Sequence, residues 1–364
     1  MNKGKLRGKC GINNMDLSFY KGKTVLITGH TGFKGSWTCK VLQKIGANVV
    51  GYSLQSPTDP SLFEMAKLGE KMHSIIGDIR DLDRLNEIFD QYQPEIVIHM
   101  AAQPIVRESY VNPVYTYETN VMGTVNILEA VRLHDCVKSV INVTTDKVYR
   151  NNEWVWGYRE NDILDGYDPY SNSKSCSELV TSSYKKSFFQ DRAIAISTCR
   201  AGNVIGGGDF AKDRIIPDCV RAQEKNAKII VRNPYSIRPY QHVLEPVCTY
   251  LKLAELQLKD REKYEGNYNI GPDDQDCVTT GELVDLFCKG WGEDATWEDR
   301  SEKNAPHEAG FLKLDCSKIK QTMGWRPKWH IAEAVNNCVK WSKIYLDGGN
   351  IVEEMDKEIT DYLK

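Results

Sequence analysis

The chain has 364 residues, 41% of them hydrophobic and 27% charged, with a net charge of −3. That length suits one large or two closely joined domains; the near-neutral charge and lack of a long basic run argue against a nucleic-acid partner. No apolar run approaches the ~20 residues that cross a bilayer, and the eleven cysteines are scattered singly, so reduced thiols in a cytoplasmic protein with no metal site are expected.

Residues 1–14 are basic but lack the apolar stretch of a secretory signal, so they read as a flexible extension, with Met15 a natural start for the folded part. Thr24–Thr28 (TVLIT) reads as a buried strand, followed by a glycine-rich turn and a helix to about Ile45. Val49–Tyr52 and Ser74–Gly77 read as the second and third strands, the latter leading to a helix opened near Asp81 with Leu82, Leu85, Ile88 and Phe89 on one face. Ile96–Ile98 is a fourth strand, then a long helix between Pro113 and Leu133. Val140–Val143 is a fifth, then a helix beginning near Pro169.

Apolar strands alternating with helices predict an α/β fold, a parallel, doubly wound Rossmann sheet covered on both faces. Past Ala201 the pattern loosens into Gly206-Gly-Gly208, Arg232-Asn-Pro234 and Gly271-Pro272. Residues 15–201 are therefore read as the nucleotide-binding domain. Residues 202–364 are read as a smaller, mixed α/β lobe, interleaved with the last strands and helices of the first.

The turn Gly29-His-Thr31-Gly32-Phe33-Lys34-Gly35 joins the first strand to the first helix. Such a turn lets backbone approach a pyrophosphate while the helix N-terminus offers free N–H groups and its positive dipole end. The spacing is GxxGxxG instead of GxGxxG, a sign of the short-chain dehydrogenase/reductases. No acidic residue lies between Gly35 and Asp59; Ser53 stands where a ribose-binding carboxylate is usual, and only Lys34 could meet a 2′-phosphate. NAD is preferred on these grounds and NADP stays open. Asp78 and Ile79 are candidates for the adenine, and the small residues Ala101 and Ala102 with Gln103 give a flat cofactor clearance.

Tyr170-Ser-Asn-Ser-Lys174 puts a phenol and an ammonium on one helix face. A neighbouring lysine cation, together with a nicotinamide cation, is expected to favour phenolate and lower the tyrosine pKa, so that the phenolate can take a proton from a sugar hydroxyl. Thr144-Thr145-Asp146-Lys147 sits at the carboxyl end of the fifth strand, where doubly wound folds place chemistry. Thr145 would bond the reacting hydroxyl. An alcohol dehydrogenase needs no Asp146 or Lys147, so this extra acid–base couple points to a further proton transfer; a surface ion pair is the plainer alternative. The helices around Tyr117 and Leu179 carry apolar stripes suited to core or to a dimer interface.

Together, Gly29–Trp37, Ala101–Arg107, Thr144–Lys147, Trp154–Tyr158, Tyr167–Ser171, Arg200–Asp209 and Ile237–Pro246 resemble the nucleotide-sugar 4,6-dehydratases over nearly the whole chain. Relatives acting on dTDP-glucose carry Thr-Asp-Glu at the strand end; Lys147 resembles the branch acting on CDP-glucose. The resemblance implies conversion of CDP-D-glucose to CDP-4-dehydro-6-deoxy-D-glucose and water, in deoxysugar biosynthesis. Tyr170 would take the C4 hydroxyl proton, NAD the C4 hydride, Lys147 the C5 proton, and protonated Asp146 would release the C6 hydroxyl. It implies cofactor contacts from Gly29, Thr31, Gly32, Phe33, Lys34, Gly35, Ser53, Asp78, Ile79, Ala101, Ala102, Gln103, Thr119, Tyr170 and Lys174. Substrate contacts fall to Arg107, Thr145, Asn203, Arg214 and Arg238, with His307 and Glu308 near the nucleotide and His242 either structural or a ligand. A homodimer through two long helices per subunit, or a dimer of dimers, is implied too. The alternatives are an epimerase, a dehydratase for a dTDP-, UDP- or GDP-hexose, and a non-catalytic NAD-sensing protein.

Overall fold

The computed structural model describes residues 15–292, 294–301 and 310–364; the extension 1–14 and the pair His307 and Glu308 lie outside the described residues. Seven strands form one parallel sheet: β1 (Thr24–Thr28), β2 (Asn48–Ser53), β3 (His73–Ile76), β4 (Ile96–His99), β5 (Ser139–Val143), β6 (Ala195–Ala201) and β7 (Asn267–Ile270). Their spatial order is β7-β6-β5-β4-β1-β2-β3. The order reverses between β1 and β4, where Thr28 lies in register with His99 on one side and Tyr52 on the other. Doubly wound sheets bind ligands at that switch point.

Side-chain alternation in β1 explains why the sheet is covered twice. Val25 and Ile27 join one apolar cluster and Leu26 the other, all fully buried. The first cluster takes Trp37 from helix α1 (Phe33–Lys44), and the second takes Leu85, Ile88 and Phe89 from α2 (Leu82–Tyr92). Asp81 caps α2, its carboxylate accepting from the Arg84 N–H at 3.0 Å. The long helix expected over 113–133 is three segments in line: Pro113–Tyr117, a π turn at Glu118–Met122, and α3 (Gly123–Leu133). Helix α4 (Pro169–Phe188) opens with proline in its first turn and Asp168 as cap, whose carboxylate accepts from the Ser171 N–H at 3.0 Å.

Beyond β6 the chain builds a second lobe around α5 (Ile215–Glu224), α7 (Thr280–Trp291) and α8 (Ile331–Leu346), while α6 (Leu244–Lys259) and β7 return to the main sheet. The lobe has its own apolar core, including Ile216, Val231, Leu283, Phe287 and Val335. It faces the carboxyl end of β5 across a cleft lined by strand-end residues such as Thr145 and Asp146 and by lobe residues such as Arg232 and Thr280.

Candidate active site

The glycine turn is shaped by backbone contact. Gly29 has φ +75°, and a Cβ there would lie 2.8 Å from the Ala101 nitrogen; only glycine fits. At Gly35 a Cβ would lie 2.1 Å from the Gly29 carbonyl oxygen, so the turn closes on itself. Gly32 differs: its missing Cβ would meet nothing nearer than that same oxygen at 3.5 Å. The fold does not demand glycine there, and its bareness leaves room on the outer face at the start of α1.

The neighbouring loop is fixed by a buried network. Thr28 Oγ1 accepts from the Met100 and Ala101 N–H groups, both at 3.1 Å, and lies 2.7 Å from His99 Nδ1. Burial lowers the His99 pKa to about 3, with the nearby Lys174 cation adding to it, so this histidine is neutral. Gln103 spends its side chain on the fold: Nε2 donates to Thr116 Oγ1 at 2.9 Å and Oε1 accepts from the Ile105 N–H at 2.6 Å. Asn120, which the sequence reading passed over, grips Gln103 from both sides, accepting from its N–H and donating to its carbonyl.

Ser53 closes β2 and bonds Thr31, Oγ to Oγ1 at 2.9 Å; Thr31 also donates to the Leu54 carbonyl. Asp78 is already engaged, accepting from Arg80 Nε and Nη2 and from its N–H. These bonds hold its pKa below the usual range. Ile79 is buried against Gly123. Thr119 Oγ1 is buried with no hydrogen-bond partner among the described residues. An open glycine cradle at a helix N-terminus, an apolar wall at Ile79 and a spare hydroxyl at Thr119 fit a dinucleotide.

A cavity of about 370 Å³ opens beside the turn. It is lined by Phe33, Lys34, Arg107, Thr145, Asp146, Lys147, Tyr170, Asn203, Arg214 and Arg238, so residues far apart in the chain meet in one place. Asp146 is 2% exposed and Arg238 equally buried. The surface ion-pair alternative fails for that reason, and no ion pair joins Asp146 to Lys147. Thr145 Oγ1 donates to Asp146 Oδ1 at 3.0 Å, while Asp146 Oδ2 is buried without a hydrogen-bond partner among the described residues. Burial raises the Asp146 pKa, against the pull of the Lys147 and Arg238 charges.

Lys174 lies behind Tyr170, its Nζ donating to the Val143 carbonyl at 3.2 Å. Burial, with Lys34 nearby, lowers its pKa to about 7. In the protein alone burial pushes the Tyr170 phenol up to about 12, against a downward influence from Thr145 and Arg214. Desolvation penalises the phenolate more than these neighbours favour it, so in the protein alone Tyr170 is a phenol.

Three arginines that line the cavity differ in setting. Arg238 is sealed in, Arg214 is held by Asp209 at 2.9 Å, and Arg107 is half exposed, 4.0 Å from Asp213. Asp209 was missed as a partner, although it closes the Arg200–Asp209 segment five residues before Arg214. His242 is structural: it is fully buried, ringed by Trp37 and Trp329, and its Nε2 lies 3.3 Å from Glu358. Among the described residues no group of three His, Cys, Asp or Glu side chains gathers as for a metal, and no helix is long and apolar enough to cross a membrane.

Residues 26–338 match the family described as GDP-mannose 4,6 dehydratase. The CDP-glucose 4,6-dehydratase of Salmonella typhimurium is 50% identical over 354 residues, covering 96% of this chain and 98% of that protein. The dTDP-glucose 4,6-dehydratase of Shigella flexneri is 27% identical, covering 91% of this chain and 95% of its own. Among solved structures, the UDP-glucose 4-epimerase of Stenotrophomonas maltophila shares the fold with a TM-score of 0.78 at 20% identity, covering 90% of this chain and all of that one. On the strength of the 50% identity and the family match, the chain belongs to the nucleotide-sugar 4,6-dehydratases of the short-chain dehydrogenase/reductase superfamily.

Proposed function

We propose that the protein converts CDP-D-glucose to CDP-4-dehydro-6-deoxy-D-glucose and water, with NAD held in the glycine cradle. The observation that carries this reading is the buried Asp146, raised in pKa, beside Lys147 and Tyr170 in one cavity. An alcohol dehydrogenase has no use for that couple. NAD, held there, would supply hydride-acceptor chemistry for C4 and hydride-donor chemistry for C6.

The chain's own residues do the rest. Tyr170, as phenolate, takes the C4 hydroxyl proton; Thr145, Arg214 and the positive charge of the oxidised cofactor favour that form against burial. Oxidation at C4 acidifies the C5 proton, which the Lys147 amine removes. Asp146, kept protonated by burial, donates to the departing C6 hydroxyl. Arg238 and Arg214 hold the diphosphate, with Asn203 and Arg107 alongside, since guanidinium forks match phosphate oxygens.

Activity on CDP-glucose is supported by the 50% identical Salmonella protein and by Lys147 itself. Purified protein should be offered CDP-, dTDP-, UDP- and GDP-glucose in turn. The alkali-sensitive absorbance of a 4-keto sugar should appear with the CDP sugar first; appearance with another nucleotide instead would reject the assignment, and plain epimerisation would reject dehydration.

We also place the reaction in the cytoplasm, as a step toward the deoxysugars of a lipopolysaccharide O-antigen. A homodimer forms, in this reading, through the exposed apolar faces of α3 and α4 and the segment before them, where Val114 is 70%, Met122 50% and Leu179 57% exposed. Met122→Glu should halve the mass seen in sedimentation if that face is the interface.

A further inference from the structure

The dehydration just proposed leaves a proton in the wrong place. In one turnover the Tyr170 phenolate gains the C4 hydroxyl proton, and the Lys147 amine gains the C5 proton. The Asp146 carboxyl loses its proton as the C6–O bond breaks and water leaves. The hydride taken from C4 ends on C6, and Lys147 returns its proton to C5. The sugar has then lost one water and nothing else, but the chain is left with a phenol at Tyr170 and a carboxylate at Asp146. One proton must travel from the first to the second before the next turnover.

We propose that Thr145 carries this proton directly: the Tyr170 O–H bond breaks as a bond forms to Thr145 Oγ1, whose own proton passes to Asp146 Oδ1. The proposal rests on the dehydratase reading. Its geometric basis is that Thr145 Oγ1 already donates to Asp146 Oδ1 at 3.0 Å. A hydroxyl has one proton to give and two lone pairs. One lone pair accepts from the Lys147 N–H at 3.4 Å, and the other is left for Tyr170, which lines the same cavity. Thr145 is a hydrogen-bonding neighbour of the Tyr170 hydroxyl. Catalytic contacts of this kind tighten when ligands fill the site.

The backbone makes the bridge specific. Thr145 is the cap of the short turn Asp146–Val148, which fixes its side chain between the strand end and the carboxylate. The alternative supply, bulk water, is hindered because Asp146 is 2% exposed. A threonine placed only to orient the substrate hydroxyl would not need to donate to the acid that acts two carbons away.

The test is rapid-quench kinetics on Thr145→Val, which keeps the shape and removes the hydroxyl, and on Thr145→Ser, which keeps the hydroxyl. With CDP-glucose, Thr145→Val should make one product per site and then slow by roughly 10²-fold or more. An imidazole–imidazolium buffer, its cation protonating Asp146 and its free base accepting the Tyr170 proton, should restore the later turnovers without changing the first. The wild type should not respond to the buffer, and Thr145→Ser should recover multiple turnover. Equal slowing of first and later turnovers in Thr145→Val with no response to imidazolium overturns the relay and leaves Thr145 as a substrate contact. A Thr145→Ser that behaves like Thr145→Val also overturns it. Failure of the wild type to form any 4-keto sugar strikes the dehydratase reading itself, and is told apart because it needs no substitution.

Discussion

Glu178 and Arg200 form an ion pair in which each side chain is only 1% exposed, Arg200 Nη2 donating to Glu178 Oε2 at 2.9 Å. Glu178 stands one turn beyond Lys174 on α4, and its other oxygen accepts from Thr144 Oγ1 at 2.5 Å, next to the reactive strand end. Arg200 reaches on to the Tyr149 hydroxyl at 2.7 Å, which donates to Asn269 Oδ1 on β7. The pair thus ties α4, β5, β6 and β7 together behind the site. Breaking a buried pair from one side leaves an uncompensated charge at a cost of about 3–5 kcal/mol. Glu178→Gln should lower unfolding free energy by that order in chemical denaturation, and Arg200→Met should cost no less.

Tyr170→Phe keeps the ring and removes the proton acceptor. Turnover should fall by about 10²–10⁴-fold, while binding of the dinucleotide, read by fluorescence titration, stays close to wild type.

Lys147→Ala separates the two halves of the reaction. Oxidation at C4 does not need the C5 base, so substrate should drive the enzyme to a form holding reduced nicotinamide, visible in its near-ultraviolet absorbance, with little 4-keto-6-deoxy product. Dehydration by Lys147→Ala at a rate near wild type would assign the C5 base elsewhere.

Arg238→Ala should weaken substrate more than it slows chemistry. A charge-assisted bond to phosphate contributes about 1.5–3 kcal/mol, on the order of tenfold to a hundredfold in KM. Steady-state kinetics on the purified variant checks the split between KM and kcat.

Lys174 makes a prediction about pH and stability. Its pKa is about 7 in the folded protein against 10.5 when exposed, so between those values the unfolded chain binds more protons. Stability from this group therefore rises as pH increases through that window and is flat below it. Relative to Lys174→Met, the wild type should gain unfolding free energy from neutral to alkaline pH.

Local signals made much of this legible. The β1 pattern, the glycine turn, the cap at Asp81, the helix start at Pro169 and the Tyr170–Lys174 spacing each depend on residues close in sequence. Long-range pairing did not show: β7 joins the sheet from 69 residues past its β6 partner Thr198, as the Thr198–Asn267 bond records. Glu178 and Arg200, 22 apart, meet only because α4 packs across the strands. Lys174 and Glu178 share a helix face at four-residue spacing, which was the available hint. The burial that raises the Tyr170 pKa in the protein alone was not legible, because spacing reveals a neighbouring charge and says nothing of desolvation. The Asp78 carboxylate looked open in the sequence, but Arg80 folds back onto it.

The account turns on a hydride that leaves C4 and comes to rest on C6 of the same sugar. CDP-glucose carrying deuterium at C4 tests this directly. The product should be a 4-keto-6-deoxy sugar with the deuterium at C6 and no net reduced cofactor. Deuterium lost to solvent, kept at C4, or accumulated on the dinucleotide would contradict it.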